Sequence, residues 1–113
     1  MVEDDATLRS VIRLVLERDG YEVEEAPHGA AALAAMAGET PCAAVVDLKM
    51  PVMGGMELID RMRADSRLAG VPVVLLSGFG DEIDAAKADV VLAKPFEPDR
   101  LIACVRSLVE QEA

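Results

Sequence analysis

The sequence predicts an α/β fold in which a doubly wound parallel sheet carries helices on both faces, with residues 1–113 read as one domain. The apolar pattern alternates along the chain between a helical period and short runs of strand length. Three of those runs, Ala43–Val46, Val71–Leu76 and Val90–Leu92, are almost wholly apolar, as strands buried on both faces are. A helical stretch of 8 residues lies in each gap between them, the arrangement that makes βαβ units rather than hairpins.

The elements follow in order. Leu8, Val11, Ile12, Val15 and Leu16 form one stripe of a helix over Thr7–Asp19, which Gly20 ends. Tyr21-Glu22-Val23-Glu24 alternates and predicts a strand closed by Pro27. Ala30–Ala37 predicts a helix stopped by Gly38 and Pro41. The Ala43–Val46 strand delivers Asp47 at its C-terminal end, and a Pro/Gly-rich loop, Lys49–Gly55, follows. Met56–Arg63 predicts a helix with Met56, Leu58, Ile59 and Met62 inward. Val71–Leu76 is a strand ending at Ser77, Asp81–Ala88 has room for only a short helix, and Val90–Leu92 is a strand ending at Lys94-Pro95. Asp99–Glu110 repeats the first helix's stripe.

Composition narrows the function. Twenty-one Asp+Glu against 11 Lys+Arg leave a formal charge of −10, which argues against nucleic acid as a partner, because phosphate neutralisation needs clustered cations. No apolar run approaches the ~18–20 residues that cross a bilayer, and the acidic start Met1–Asp5 is unlike a targeting peptide, so the expected location is cytoplasmic. Cys42 and Cys104 read as reduced thiols, and His28, the only histidine, reads as a surface residue. Gly78-Phe79-Gly80 begins like a dinucleotide fingerprint, but Ile83 stands where the third glycine belongs.

In a parallel sheet the site lies outside the C-terminal ends of the strands. Those ends carry Glu3-Asp4, Asp47, Ser77 and Lys94. Clustered carboxylates repel one another unless a cation neutralises them, and hard oxygens suit Mg²⁺. Asp47, following a buried strand, is the candidate nucleophile for an aspartyl-phosphate. Lys94 supplies positive charge and Ser77 a hydroxyl. Asp5 reads as a helix-proximal surface acid.

On these residues the chain closely resembles the receiver domain of two-component response regulators. The match is carried by Val2-Glu3-Asp4-Asp5 with Arg9, by Asp47-Leu48-Lys49-Met50-Pro51-Val52-Met53-Gly54-Gly55-Met56-Glu57, by Val73–Gly78 and by Ala93-Lys94-Pro95-Phe96. The resemblance implies a flavodoxin-like, five-stranded sheet of order 2-1-3-4-5 with five helices. It implies that Asp47 accepts a phosphoryl group from a sensor histidine kinase or a histidine phosphotransfer protein. Asp4, Glu3, Asp47 and the Lys49 carbonyl would hold Mg²⁺, Ser77 and Lys94 would contact the phosphoryl group, and Lys94–Pro95 would be cis. Such a domain is a switch rather than an enzyme, with an unidentified protein as its downstream target and a homodimer left open. The alternative is a degenerate receiver that binds partners without phosphorylation. An aspartate-nucleophile phosphohydrolase would want an acid where Lys49 stands.

Several positions depart from the family. Met1-Val2-Glu3 leaves only about 10 Å for the first strand, so that strand should be truncated: either the true start lies upstream, which is the favoured expectation, or the fold tolerates a stub by borrowing a partner's strand. Ser77 and Lys94 are 17 apart, so the fourth helix should be abbreviated. Val91 stands where an aromatic switch residue is usual, and Gly54 where an acidic or polar residue is frequent, which should alter loop stability more than chemistry. Lys49 and Phe79 stand two after Asp47 and two after Ser77, where the resemblance implies an influence on water attack, and neither is a carboxylate or amide that orients water, which predicts a long-lived phosphoryl state. Because the chain stops soon after its last helix, the expectation is a stand-alone domain whose output is protein contact or which serves as an intermediate in a phosphorelay.

Overall fold

The computed structural model describes residues 1–3, 5–50, 52–78 and 88–112. Asp4, Phe79 and most of the short helix expected over 81–88 fall outside them, so the abbreviated fourth helix does too. The described elements are α1 (Ala6–Arg18), α2 (Gly29–Gly38), β1 (Ala44–Asp47), α3 (Gly55–Ala64), β2 (Val73–Ser77), β3 (Val90–Ala93) and α4 (Pro98–Glu112).

The three strands form a parallel sheet, β1-β2-β3. Val46 lies opposite Leu75, Asp47 opposite Leu76, and Ser77 opposite Ala93. That register brings Asp47, Ser77 and the residue after Ala93, Lys94, to one edge. Val46, Val73, Val74, Leu75 and Leu76 expose no surface. Their side chains alternate between the two faces. Val46, Val73 and Leu75 pack with Leu58, Ile59 and Met62 of α3 and with Met36 of α2. Val45, Val74, Leu76 and Leu92 pack with Ile12 and Leu16 of α1 and with Leu101, Val105 and Leu108 of α4. Two apolar layers, one per face, make the sheet doubly wound as expected.

Beyond β1 the expected sheet survives only as single bridges. Val2 pairs parallel with Val46 on one side and with Ala26 on the other, which preserves the order 2-1-3 without two full strands. The stub is nonetheless well bonded. Val2 N–H donates to Val45 O at 2.8 Å, Asp47 N–H to Val2 O at 2.9 Å, Ala26 N–H to Met1 O at 2.9 Å and Glu3 N–H to Ala26 O at 3.0 Å. The Met1 ammonium takes one more rung by donating to Glu24 O at 2.9 Å, and burial lowers its pKa to about 6. The Tyr21–Glu24 strand predicted from alternation is corrected: no described strand covers it, and the bridge lies at Ala26. Alternation marks a chain that can pair, but a ladder needs a partner of equal length, and here the partner bridges through Val2 alone.

The ends of the helices have local causes. The Asp5 carboxylate caps α1, accepting from Thr7 and Leu8 N–H at 2.9 and 3.2 Å, and Gly20 closes it at φ +97°. His28 is more than a surface residue: its Nδ1 accepts from Ala31 N–H at 3.1 Å and caps α2, which requires that nitrogen to be unprotonated. By contrast α3 begins at Gly54 with no side-chain cap. An added Cβ at Gly54 would meet only Leu48 O at 3.5 Å, and its φ of −71° suits any residue. Gly54→Asp should therefore stabilise the protein by about 0.5–1 kcal/mol, combining a cap with a less flexible unfolded chain. A denaturation midpoint no higher than the parent's would refute that.

Candidate functional site

Asp47 ends β1 and is 5 % exposed, held by a backbone bond on each side: its own N–H to Val2 O, and Leu48 N–H to Leu76 O at 2.9 Å. Lys94, one residue past β3, donates its backbone N–H to Ser77 O at 2.7 Å, which ties two strand ends together. Its Nζ lies 2.8 Å from Asp47 Oδ1 and 3.6 Å from Glu3 Oε2. Burial alone lowers the Lys94 pKa, but the Asp47 carboxylate, with Glu3 behind it, raises it overall, so the ammonium stays charged. The Lys94–Pro95 peptide is cis.

Glu3 is the most constrained acid. It is 2 % exposed, its Oε1 accepts from Asp5 N–H at 3.2 Å, and its Oε2 has no hydrogen-bond partner. Its pKa is pushed up to about 7, first by burial, which outweighs the Asp5 N–H; the neighbouring Asp47 raises it further and Lys94 lowers it. A buried carboxylate oxygen without a donor, beside a second buried carboxylate, is short of positive charge, and a single lysine supplies only part of it. Hard oxygens in that state fit a divalent ion such as Mg²⁺. Among the described residues two acids meet here, and no cluster of three metal-binding side chains forms; Asp4 lies outside those residues.

Of the residues expected at the site, the structure therefore brings together Glu3, Asp47, Ser77 and Lys94. Ser77 is 7 % exposed at the end of β2. Lys49 follows Asp47 on the β1–α3 loop with its side chain exposed. The loop turns back sharply: Gly55 N–H donates to Leu48 O at 2.8 Å, and Val52 adopts φ +67° while 81 % exposed. Both cysteines are free thiols.

Two residues, one beside the site and one at the opposite end of the sheet, escape sequence reasoning. Arg9 Nη1 donates to Glu3 O at 2.8 Å, and its Nε sits 3.5 Å from Glu25 Oε1. Arg9 invites attention only as part of a motif, because its partner is a backbone carbonyl that no side-chain pattern announces. Asp89 accepts from Val73 N–H at 2.7 Å and from Arg63 Nη2 at 3.0 Å, which anchors the start of β2 far from the site.

A family model described as the response regulator receiver domain matches residues 1–106. The chain belongs to that family. Among solved structures, the receiver domain of a signal transduction histidine kinase from Syntrophus aciditrophicus superposes with a TM-score of 0.90 at 28 % identity, covering 97 % of this chain and 87 % of that one. The receiver domain of the Francisella response regulator 1452 gives 0.89 at 26 %, covering 99 % and 95 %. Curated relatives include the transcriptional regulatory protein CseB of Streptomyces coelicolor, 36 % identical over 115 aligned positions, and the DNA-binding response regulator MtrA of Mycobacterium tuberculosis, 35 % over 112. Each match covers at least 95 % of this chain but 48 % of the relative, so the chain spans about half the length of these proteins.

Those relatives correct one expectation. The acidic balance was expected to exclude nucleic acid, but one relative is named as DNA-binding and this receiver domain corresponds to only half of it. A net charge of −10 describes these 113 residues and says nothing of what a longer protein touches. For the same reason the reading as a stand-alone domain carries no weight. Among the described residues no helix is long and apolar enough to cross a membrane.

Proposed function

We propose that this receiver domain is a phosphorylation switch in which Asp47 takes a phosphoryl group from the phosphohistidine of a sensor kinase or phosphotransfer protein. The single observation that carries the reading is the Lys94 ammonium 2.8 Å from Asp47 Oδ1 at the mouth of a parallel sheet. A carboxylate oxygen of Asp47 attacks phosphorus in line with the departing imidazole nitrogen. The P–O bond forms as the P–N bond breaks, and the electron pair returns to the imidazole. Lys94 pairs with the Asp47 carboxylate before transfer and with the transferred group's negative oxygens as they approach. Ser77, at the adjacent strand end, would donate its hydroxyl to another phosphoryl oxygen. Mg²⁺, held by Glu3 and Asp47 with Asp4 and the Lys49 carbonyl in the set, would neutralise charge on the phosphoryl oxygens when bound.

The outcome is one aspartyl-phosphate per chain rather than turnover of a substrate, so the domain acts as a switch and not as an enzyme. We place it in the cytoplasm, where a kinase's phosphohistidine is formed. Read with its relatives, residues 1–113 are the receiver portion whose phosphorylation state a partner, or a further portion of a longer protein, reads.

Incubation with phosphoramidate and Mg²⁺ tests this directly. Intact-mass measurement should show a gain of one phosphoryl group that Asp47→Asn abolishes. No gain in the parent protein, or a gain that survives in Asp47→Asn, would remove the reading.

A further inference from the structure

We infer that Arg9 is a positioning residue for the cation site: clamped by Glu25, its guanidinium fixes the Glu3 carbonyl and so aims the Glu3 carboxylate at Asp47 and Lys94. The inference rests on the phosphoacceptor reading above and adds a residue that reading does not use.

Glu3 sits where the sheet runs out. Its N–H is the last rung on Ala26, and Val2 O is the last acceptor on the β1 side, so among the described residues no ladder bond holds the Glu3 carbonyl. Arg9, one turn into α1, supplies the missing bond from Nη1 at 2.8 Å. With N–H and C=O both held, and Oε1 taken by Asp5 N–H, Glu3 Oε2 is the group that has no hydrogen bond among the described residues, and it faces the Lys94 ammonium at 3.6 Å.

Arg9 is itself braced. Its Nε is buried 3.5 Å from Glu25 Oε1, next to the Ala26 bridge, and Glu25 Oε2 accepts from Arg13 Nη1 at 2.9 Å. Arg13 Nε in turn donates to Glu17 Oε1 at 3.0 Å. Among the described residues, Arg9 Nε and Glu3 Oε2 are the two buried side-chain polar atoms that lack a hydrogen bond. A guanidinium kept partly unsatisfied so that one of its N–H groups serves a carbonyl is held for that carbonyl. Groups that orient a metal-binding carboxylate from behind typically change metal affinity 10–100-fold when removed.

Mg²⁺ binding measured by calorimetry, without phosphodonor, separates positioning from folding. Arg9→Met should weaken Mg²⁺ binding about tenfold or more, while its phosphorylation rate by phosphoramidate at saturating Mg²⁺ stays within a few-fold of the parent's. Arg9→Lys, which keeps the charge and one donor, should recover part of the affinity, and Glu25→Gln should fall between parent and Arg9→Met. Parent-like Mg²⁺ affinity in a folded Arg9→Met overturns the inference. So does parent-like affinity in both Arg9→Lys and Glu25→Gln, should Arg9→Met fail to fold. A parent protein that neither binds Mg²⁺ nor gains a phosphoryl group overturns the functional reading and this inference with it; parent binding with an unaffected variant overturns only the latter.

Discussion

Gly55→Ala should cost about 1–3 kcal/mol of stability and slow phosphorylation from a small donor roughly a hundredfold. The cause is geometric. A Cβ at Gly55 would stand 2.4 Å from the Asp47 carbonyl oxygen and 2.9 Å from Leu48 Cα, both backbone atoms that no rotamer change can move. The first residue of α3 and the last of β1 are thus in contact through the space a side chain would need. Relief requires the loop to open by about 1 Å, and the Gly55 N–H to Leu48 O bond closes that same loop. Asp47 is the residue that shifts, and its 2.8 Å pair with Lys94 loosens with it. Misplacement of a reacting group by an ångström is enough for a loss of about 10²-fold. Mass spectrometry of phosphorylation against time, beside urea denaturation, reads both effects. A Gly55→Ala protein with the parent's rate and midpoint would show that the loop does not hold Asp47 in this way. Gly54 makes the contrast: of two adjacent glycines, one is replaceable with gain and the other only at a cost, because a Cβ at Gly54 would meet Leu48 O at 3.5 Å whereas one at Gly55 would run into the Asp47 carbonyl.

Legibility in the sequence follows how far each feature depends on distant chain. The helices are plain because a 3.6-residue stripe such as Leu8-Val11-Ile12-Val15-Leu16 is a local property, and α1 runs over Ala6–Arg18 against Thr7–Asp19 expected. Asp47, Ser77 and Lys94 are legible as a group because parallel connections put C-terminal strand ends on one side, whatever the loop lengths. Tyr21–Glu24 misleads for the opposite reason: its alternation is local, while its strand character depends on a partner beyond Val2. His28 as a helix cap is hidden because histidine is outside the usual capping set, although Pro27-His28-Gly29 before an alanine run marks the boundary. Arg9's role depends on a carbonyl six residues back whose freedom is visible only once the ladder is seen to stop.

Without Mg²⁺ the protein should lose stability as pH rises from about 4.5 through 7, and Glu3→Gln should abolish that loss. Glu3 in the fold has its pKa raised from 4.5 to about 7, chiefly by burial. Between those values the folded chain binds a proton that the unfolded chain has released, so each step up in pH favours unfolding. The stabilisation is complete below 4.5 and gone above 7. A shift of this size on an acid coupled to Asp47 is worth roughly 1–3 kcal/mol. The Met1 amine opposes it over the upper part of the range. Its pKa is lowered from 8.0 to about 6, so stability from that group rises with pH between those values, and the net decline should be steepest between pH 4.5 and 6. Glu3→Gln keeps the shape and removes the charge. It should match the parent near pH 4.5 and exceed it by about 1–3 kcal/mol at pH 8. Mg²⁺ should then stabilise the parent at pH 8 far more than Glu3→Gln, since binding to the folded state alone adds RT ln(1 + [Mg²⁺]/Kd). Parallel denaturation curves for the two proteins across pH 4.5–8 would defeat this account. The physical content is that Glu3 is retained against stability: a buried oxygen with no donor, 3.6 Å from the nearest ammonium, is an expensive way to build a sheet edge and an effective way to leave room for a cation.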